Sequence, residues 1–111
     1  MKWNPFDAGK SIGQRGSENG VIIRDEEHAD GARITLERET QTAPFTITCG
    51  IYGWMVHTHF IGTESEAQSD FESMKVELSR IISSIPLAAD PEVPKTKAVY
   101  KSLSNFVKKF R

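Results

Sequence analysis

Residues 44–62 read PFTITCGIYGWMVHTHFIG, two runs of alternating apolar and polar residues joined through Gly50-Ile51-Tyr52-Gly53. Alternation with period two is the signature of a strand, and paired runs around a glycine-rich break predict a β-hairpin. Pairing Cys49 with Trp54 sets Ile47 opposite Val56 and Thr46 opposite His57. Phe45, Ile47, Cys49, Trp54, Val56 and Phe60 then share one face, and Thr46, Thr48, Met55, His57 and His59 share the other. The first face is core. The second is too polar for a core and gathers the side chains with most chemistry, so the functional question narrows to that face.

Two further runs precede the hairpin. Val21–Arg24 is a short β-branched stretch, and Ala32–Glu39 alternates Ala32, Ile34 and Leu36 against Arg33, Thr35, Glu37 and Glu39. The acidic DEEHADG segment between them reads as a turn-rich loop ending at Gly31. Connections this short exclude parallel crossovers, so the expectation is a four-stranded antiparallel meander. Residues 1–20, with four glycines and no period, read as an irregular N-terminal arm for which Trp3 and Phe6 are the candidate anchors. Residues 21–111 read as one domain.

After Gly62 the period changes. Ala67, Phe71, Met74, Leu78, Ile81, Ile82 and Ile85 fall within an arc of about 100° on a 3.6-residue helix. Thr63 with Glu66 fits a capping box and Pro86 a stop. LAADPEVP reads as a stiff linker, with Pro94 at the first position of a second helix over Lys95–Arg111. That helix aligns Val99, Leu103, Phe106, Val107 and Phe110. Four strands span about 19 Å, whereas one helix covers about 10 Å of that width, so two helices side by side are needed to cover the sheet. The predicted fold is α+β, a two-layer sandwich with both C-terminal helices packed on one sheet face.

Composition narrows the functional classes. With 111 residues and 38% hydrophobic content, the chain fits one domain with a real core. No apolar run approaches the roughly 20 residues of a membrane helix, and MKWNPFDAGK lacks the apolar stretch of a secretory signal, so a cytoplasmic location is expected. The lone Cys49 reads as a small buried hydrophobe. Net charge is -1, yet residues 1–90 carry eight basic and fourteen acidic side chains while residues 91–111 carry six and one. The acidic body and a sequence pI near 6.3 disfavour nucleic acid as a partner, and the second helix needs its apolar face for the core, which disfavours a membrane surface. Gly9-Lys10-Ser11 resembles the end of a P-loop, but Asn4 stands where the motif requires glycine and no strand precedes it.

Two functional readings follow. In the first, the exposed sheet face, with Arg33, Thr35, Glu37, Thr46, Thr48, Met55, His57 and His59, together with Tyr52 at the hairpin tip, holds a protein partner or a second copy of the chain. In the second, His57 and His59, aimed the same way by alternation, join Glu37 in binding zinc, either as a metal-binding protein or as a small metal-dependent enzyme. No nucleophile with a base beside it, and no carboxylate pair at a fixed spacing, is legible. By itself the sequence names no activity.

Overall fold

In the computed structural model, which describes residues 2–85 and 93–111, five strands form one antiparallel sheet in the order of the chain. They are β1 (Trp3–Pro5), β2 (Val21–His28), β3 (Ala32–Arg38), β4 (Phe45–Ile51) and β5 (Met55–Ile61), followed by helices α1 (Glu64–Ser84) and α2 (Val93–Lys109). The meander and both helices match the expected sandwich, with one strand more than the four foreseen. The extra strand comes from the arm. Trp3–Pro5 pairs with the far end of β2, which continues through the expected acidic loop to His28. Pro86 and residues 87–92 of the expected linker lie outside the described residues, and α2 takes in the linker's last two positions, 93 and 94.

One face of the sheet is the core. Ala32, Ile34 and Leu36 of β3 and Ile47, Cys49 and Ile51 of β4 pack against Ala67, Phe71, Met74, Leu78 and Ile81 of α1 and against Val99, Leu103, Phe106 and Phe110 of α2. The two helical arcs read from the sequence supply these contacts. Val107 is the exception, 36% exposed, and Ile85 is only half-buried. Thr63 caps α1, its hydroxyl accepting the Glu66 N–H at 3.3 Å, which satisfies one of the donors that a helix N-terminus leaves open. Burial pushes the Cys49 thiol up to about 12, so it behaves as an inert apolar group.

On the β1 side, Trp3 ties the arm to the body. Its indole N–H donates to Ser79 Oγ of α1 at 2.9 Å, and its ring meets His28 edge-on at 5.0 Å. His28 is buried, and its Nδ1 accepts the Asp30 N–H at 3.0 Å, which requires that nitrogen to be unprotonated. Burial lowers the imidazole's pKa, a trend Asp30 opposes and Lys2 reinforces. A lowered folded-state value means that the unfolded chain binds the proton more readily, so this contribution is complete above the ordinary value of 6.5 and is lost as pH falls below it. Urea midpoints should therefore drop more steeply on acidification below 6.5 in the wild type than in His28→Gln, and equal slopes would exclude His28 as a source.

Candidate functional site

The hairpin decides what each face carries. Its turn is Ile51-Tyr52-Gly53-Trp54, closed by the Trp54 N–H on the Ile51 carbonyl at 2.9 Å, with Gly53 at φ +83°, the conformation that the third position of a type II turn requires. Cys49 consequently pairs with His57, Ile47 with His59 and Thr46 with Phe60, in place of the expected Cys49–Trp54 register. The offset is three residues. Because side chains alternate, an odd shift turns the whole of β5 over. Met55, His57 and His59 therefore lie on the helical side, and Val56, Thr58 and Phe60 on the other.

Beneath α2 the two histidines do structural work. The hairpin meets the carbonyls that follow α2: His57 Nε2 donates to the Phe110 carbonyl, and His59 Nδ1 meets the Arg111 carbonyl oxygen at 2.5 Å. His59 Nε2 meets Asp70 Oδ2 of α1 at 2.8 Å, and each ring packs edge-on against a phenylalanine of the helical layer, His57 on Phe106 and His59 on Phe110. Both nitrogens of His59 face oxygen, as does Nε2 of His57. The expected metal set is not assembled, because Glu37 lies on the opposite side of the sheet. Among the described residues no group of three His, Cys, Asp or Glu side chains is placed to hold a metal ion.

The other face is not bare either. Residues 6–20 fold back across its β2–β3 half, and Glu37 organises them from below. Its side chain is completely buried; Oε1 accepts the N–H groups of Glu18 at 3.2 Å and Gly20 at 3.1 Å, and Oε2 accepts Glu18 again at 3.3 Å. Approach this close requires glycine at Gly16, where a Cβ would fall 2.3 Å from Glu37 Cδ. Next to this, Asp25 holds Arg33 through two hydrogen bonds of 3.0 and 2.7 Å and accepts the Thr35 hydroxyl at 2.9 Å. This pairing raises the Arg33 pKa further, and its guanidinium carbon sits over the Phe6 ring, 3.5 Å from the centroid.

Of the side chains expected on an open face, Glu37, Thr35 and Thr46 are thus buried, Arg33 is half-buried and paired, and Thr48 is partly covered. Tyr52 is exposed at the hairpin tip, its hydroxyl donating to Glu27 at 2.9 Å. Between the folded-back arm and the hairpin runs a groove of about 910 Å³, floored by Thr35, Thr48 and Gly50 and walled by Phe6 and Gln14 on one side and Tyr52 and Val56 on the other. The Ser11 hydroxyl lines the groove without a hydrogen-bond partner among the described residues.

Beyond the groove lies the most exposed apolar surface of the sheet. Val56 is 81% and Phe60 45% exposed, with Thr58 between them completing a row across β3–β5, Thr35-Thr48-Thr58. Sequence reasoning placed Val56 and Phe60 in the core and so missed them. The signal that would have found them is Gly53, which marks a turn one residue shorter than the expected one.

The two edges of the sheet are treated differently. The β2 edge is guarded by a three-residue strand containing Pro5, by a bulge between Ile22 and Arg24, and by two backbone bonds at Ile22, whose carbonyl accepts the Gly13 N–H and whose N–H donates to the Gln14 carbonyl. These are the devices that keep sheet edges from pairing. The β5 edge has none of them: seven residues without Asp, Glu, Lys, Arg, Pro or a bulge. Its free groups follow from the ladder. Tyr52 N–H donates to Gly31 O and Glu39 N–H to Pro44 O, so odd-numbered residues of β4 turn their backbone toward β5. Met55, His57, His59 and Ile61 answer them. Val56, Thr58 and Phe60 direct their N–H and C=O groups outward, where no described strand pairs with them.

Comparison with protein families, curated proteins and solved structures finds no match to this chain. No helix of the described residues is long and apolar enough to cross a membrane.

Proposed function

We propose that this protein is a cytoplasmic binding module that holds another polypeptide strand against β5, with the incoming side chains resting on Val56, Thr58, Phe60 and the groove bounded by Tyr52. The observation that carries this reading is the contrast between the two edges: one is shut by three devices and the other presents free backbone beside exposed apolar side chains. A strand added there gains main-chain hydrogen bonds for affinity and takes alternate side chains onto the Val56–Phe60 row for specificity. Of the surface foreseen from the sequence, Thr48 and Tyr52 remain at this interface, whereas Met55, His57 and His59 belong to the helical layer and Glu37 to the support of the arm.

Retention of polypeptides from a native extract by the immobilised chain tests the reading. A Val56→Lys/Phe60→Lys variant places two cations on the edge without touching the core, as edges in nature are often protected. Bound polypeptides should be lost with this variant while its melting temperature stays within a few degrees of the wild type. Equal retention by both would overturn the proposal.

A further inference from the structure

We infer that the strand held by β5 is the β5 of a second copy, paired antiparallel about a two-fold axis at Thr58, so that two sheets join into one of ten strands. This rests on the reading of β5 as a strand-accepting edge and identifies its occupant. The reason lies in the strand's own sequence. Around Thr58, residues 55–61 mirror one another in character: Met55 against Ile61, Val56 against Phe60, His57 against His59.

A two-fold contact requires each residue to suit its mirror partner twice over. Antiparallel pairing centred on Thr58 sets Thr58 against its own copy and Val56 against Phe60 of the partner subunit, with the symmetric pair on the other side. Thr–Thr and aromatic–β-branched pairs are among the favoured cross-strand combinations. The partner's Phe60 comes to the row that holds Val56 and Gly50. A foreign strand would place no such symmetry requirement on β5.

The backbone phase agrees. Val56, Thr58 and Phe60 carry the outward N–H and C=O groups, so a dyad at Thr58 makes the Thr58 pair a hydrogen-bonded one, flanked by reciprocal Val56–Phe60 pairs. Charge agrees too, since β5 contains no acidic or basic residue to oppose its own copy apart from the two imidazoles turned toward α2. Strands about 24 Å long with four apolar side chains between them bury less than the ~1,600 Å² of a standard interface, so dimerisation is concentration-dependent.

Sedimentation analysis across a wide concentration range, combined with cross-linking, tests the register. In Thr58→Cys the two introduced thiols sit on the axis, with Cα atoms about 5.5 Å apart, inside disulfide range. In Val56→Cys they lie about 14 Å apart along the strands, outside it. Mild oxidation should yield a covalent dimer for Thr58→Cys and none for Val56→Cys, with Cys49 reduced throughout because it is buried.

Val56→Lys/Phe60→Lys should weaken self-association at least about tenfold, and mixing it with Val56→Glu/Phe60→Glu should restore a heterodimer, because the altered side chains face one another across the axis. Cross-linking of both cysteine variants or of neither overturns the two-fold pairing. So does a wild-type chain that stays monomeric at every concentration. In that last case, retention of extract polypeptides that Val56→Lys/Phe60→Lys abolishes leaves the strand-accepting edge standing, whereas retention unaffected by those substitutions removes both.

Discussion

A chain ended after Ile85 is expected to lose cooperative folding. The deletion removes α2 and with it the burial of Val99, Leu103, Phe106 and Phe110, each at most 6% exposed. At about 1.5–3 kcal/mol for each large apolar side chain, the loss is comparable with the about 5–15 kcal/mol total stability of an ordinary domain. It also strips the partners from His57 and exposes the core surface of β4. Cys49 gives a direct readout. Its thiol is shut inside the intact protein, 2% exposed and pushed up to about 12, and should become readily alkylated in the truncated chain. Phe106→Ala provides the graded version, with an expected loss of about 3–5 kcal/mol in urea denaturation. Because α2 also carries the basic tail, the same variants separate docking from attraction to anionic surfaces: lost packing persists in high salt, whereas surface charge is screened. A truncated chain that melts like the wild type, with Cys49 still protected, would show that α2 does not cover the core.

The helices were legible in the sequence because a 3.6-residue period carried over more than ten residues admits one solution, and Thr63 and Glu66 mark where the first begins. The meander was legible for a similar reason. Three connections of a few residues between apolar runs allow only antiparallel neighbours. The fifth strand was not, because Trp3–Pro5 is too short for a period and contains a proline; it becomes a strand only when β2 is present to receive it. The candidate site failed at a single point. Gly50 and Gly53 both qualify as turn residues, and the choice between two registers an odd number apart decides whether the imidazoles or Val56 and Phe60 face the helices. Polarity argued for the imidazoles outside and the apolar pair inside. What reverses it is long-range: the Phe110 and Arg111 carbonyls that follow α2, some fifty residues later, take His57 and His59 as partners. Glu37 misled in the same way. An acidic residue in an alternating strand reads as solvent-facing until the folded-back arm is known to place two N–H groups over it.

That arm depends on Glu37 more than on any apolar contact of its own, and replacing it should release the groove wall without dismantling the helical core. In Glu37→Ala the Glu18 and Gly20 N–H groups lose their acceptor inside the protein, and a cavity opens where the carboxyl group stood. Hydrogen bonds to a carboxylate contribute about 1.5–3 kcal/mol each, and buried donors left unpaired add a further penalty, so a loss of about 3 kcal/mol or more is expected. Glu37→Gln should cost less, since its carbonyl oxygen can occupy the Oε1 position that accepts both N–H groups, although its amide nitrogen cannot serve the Glu18 contact at Oε2. Stability should therefore fall in the order wild type, Gln, Ala. Amide exchange shows where the loss falls: the Glu18 and Gly20 amides should accelerate in Glu37→Ala, while Ile34 and Ile47 in the centre of the sheet change only as far as global stability does. Gly16→Ala approaches the same contact from the opposite side, its added Cβ driving against Glu37 Cδ, and should loosen the same segment. Unchanged protection of Glu18 and Gly20 in Glu37→Ala would mean that the arm is held by Phe6 and the Ile22 backbone bonds alone, and Glu37 would then have no part in shaping the groove beside β5.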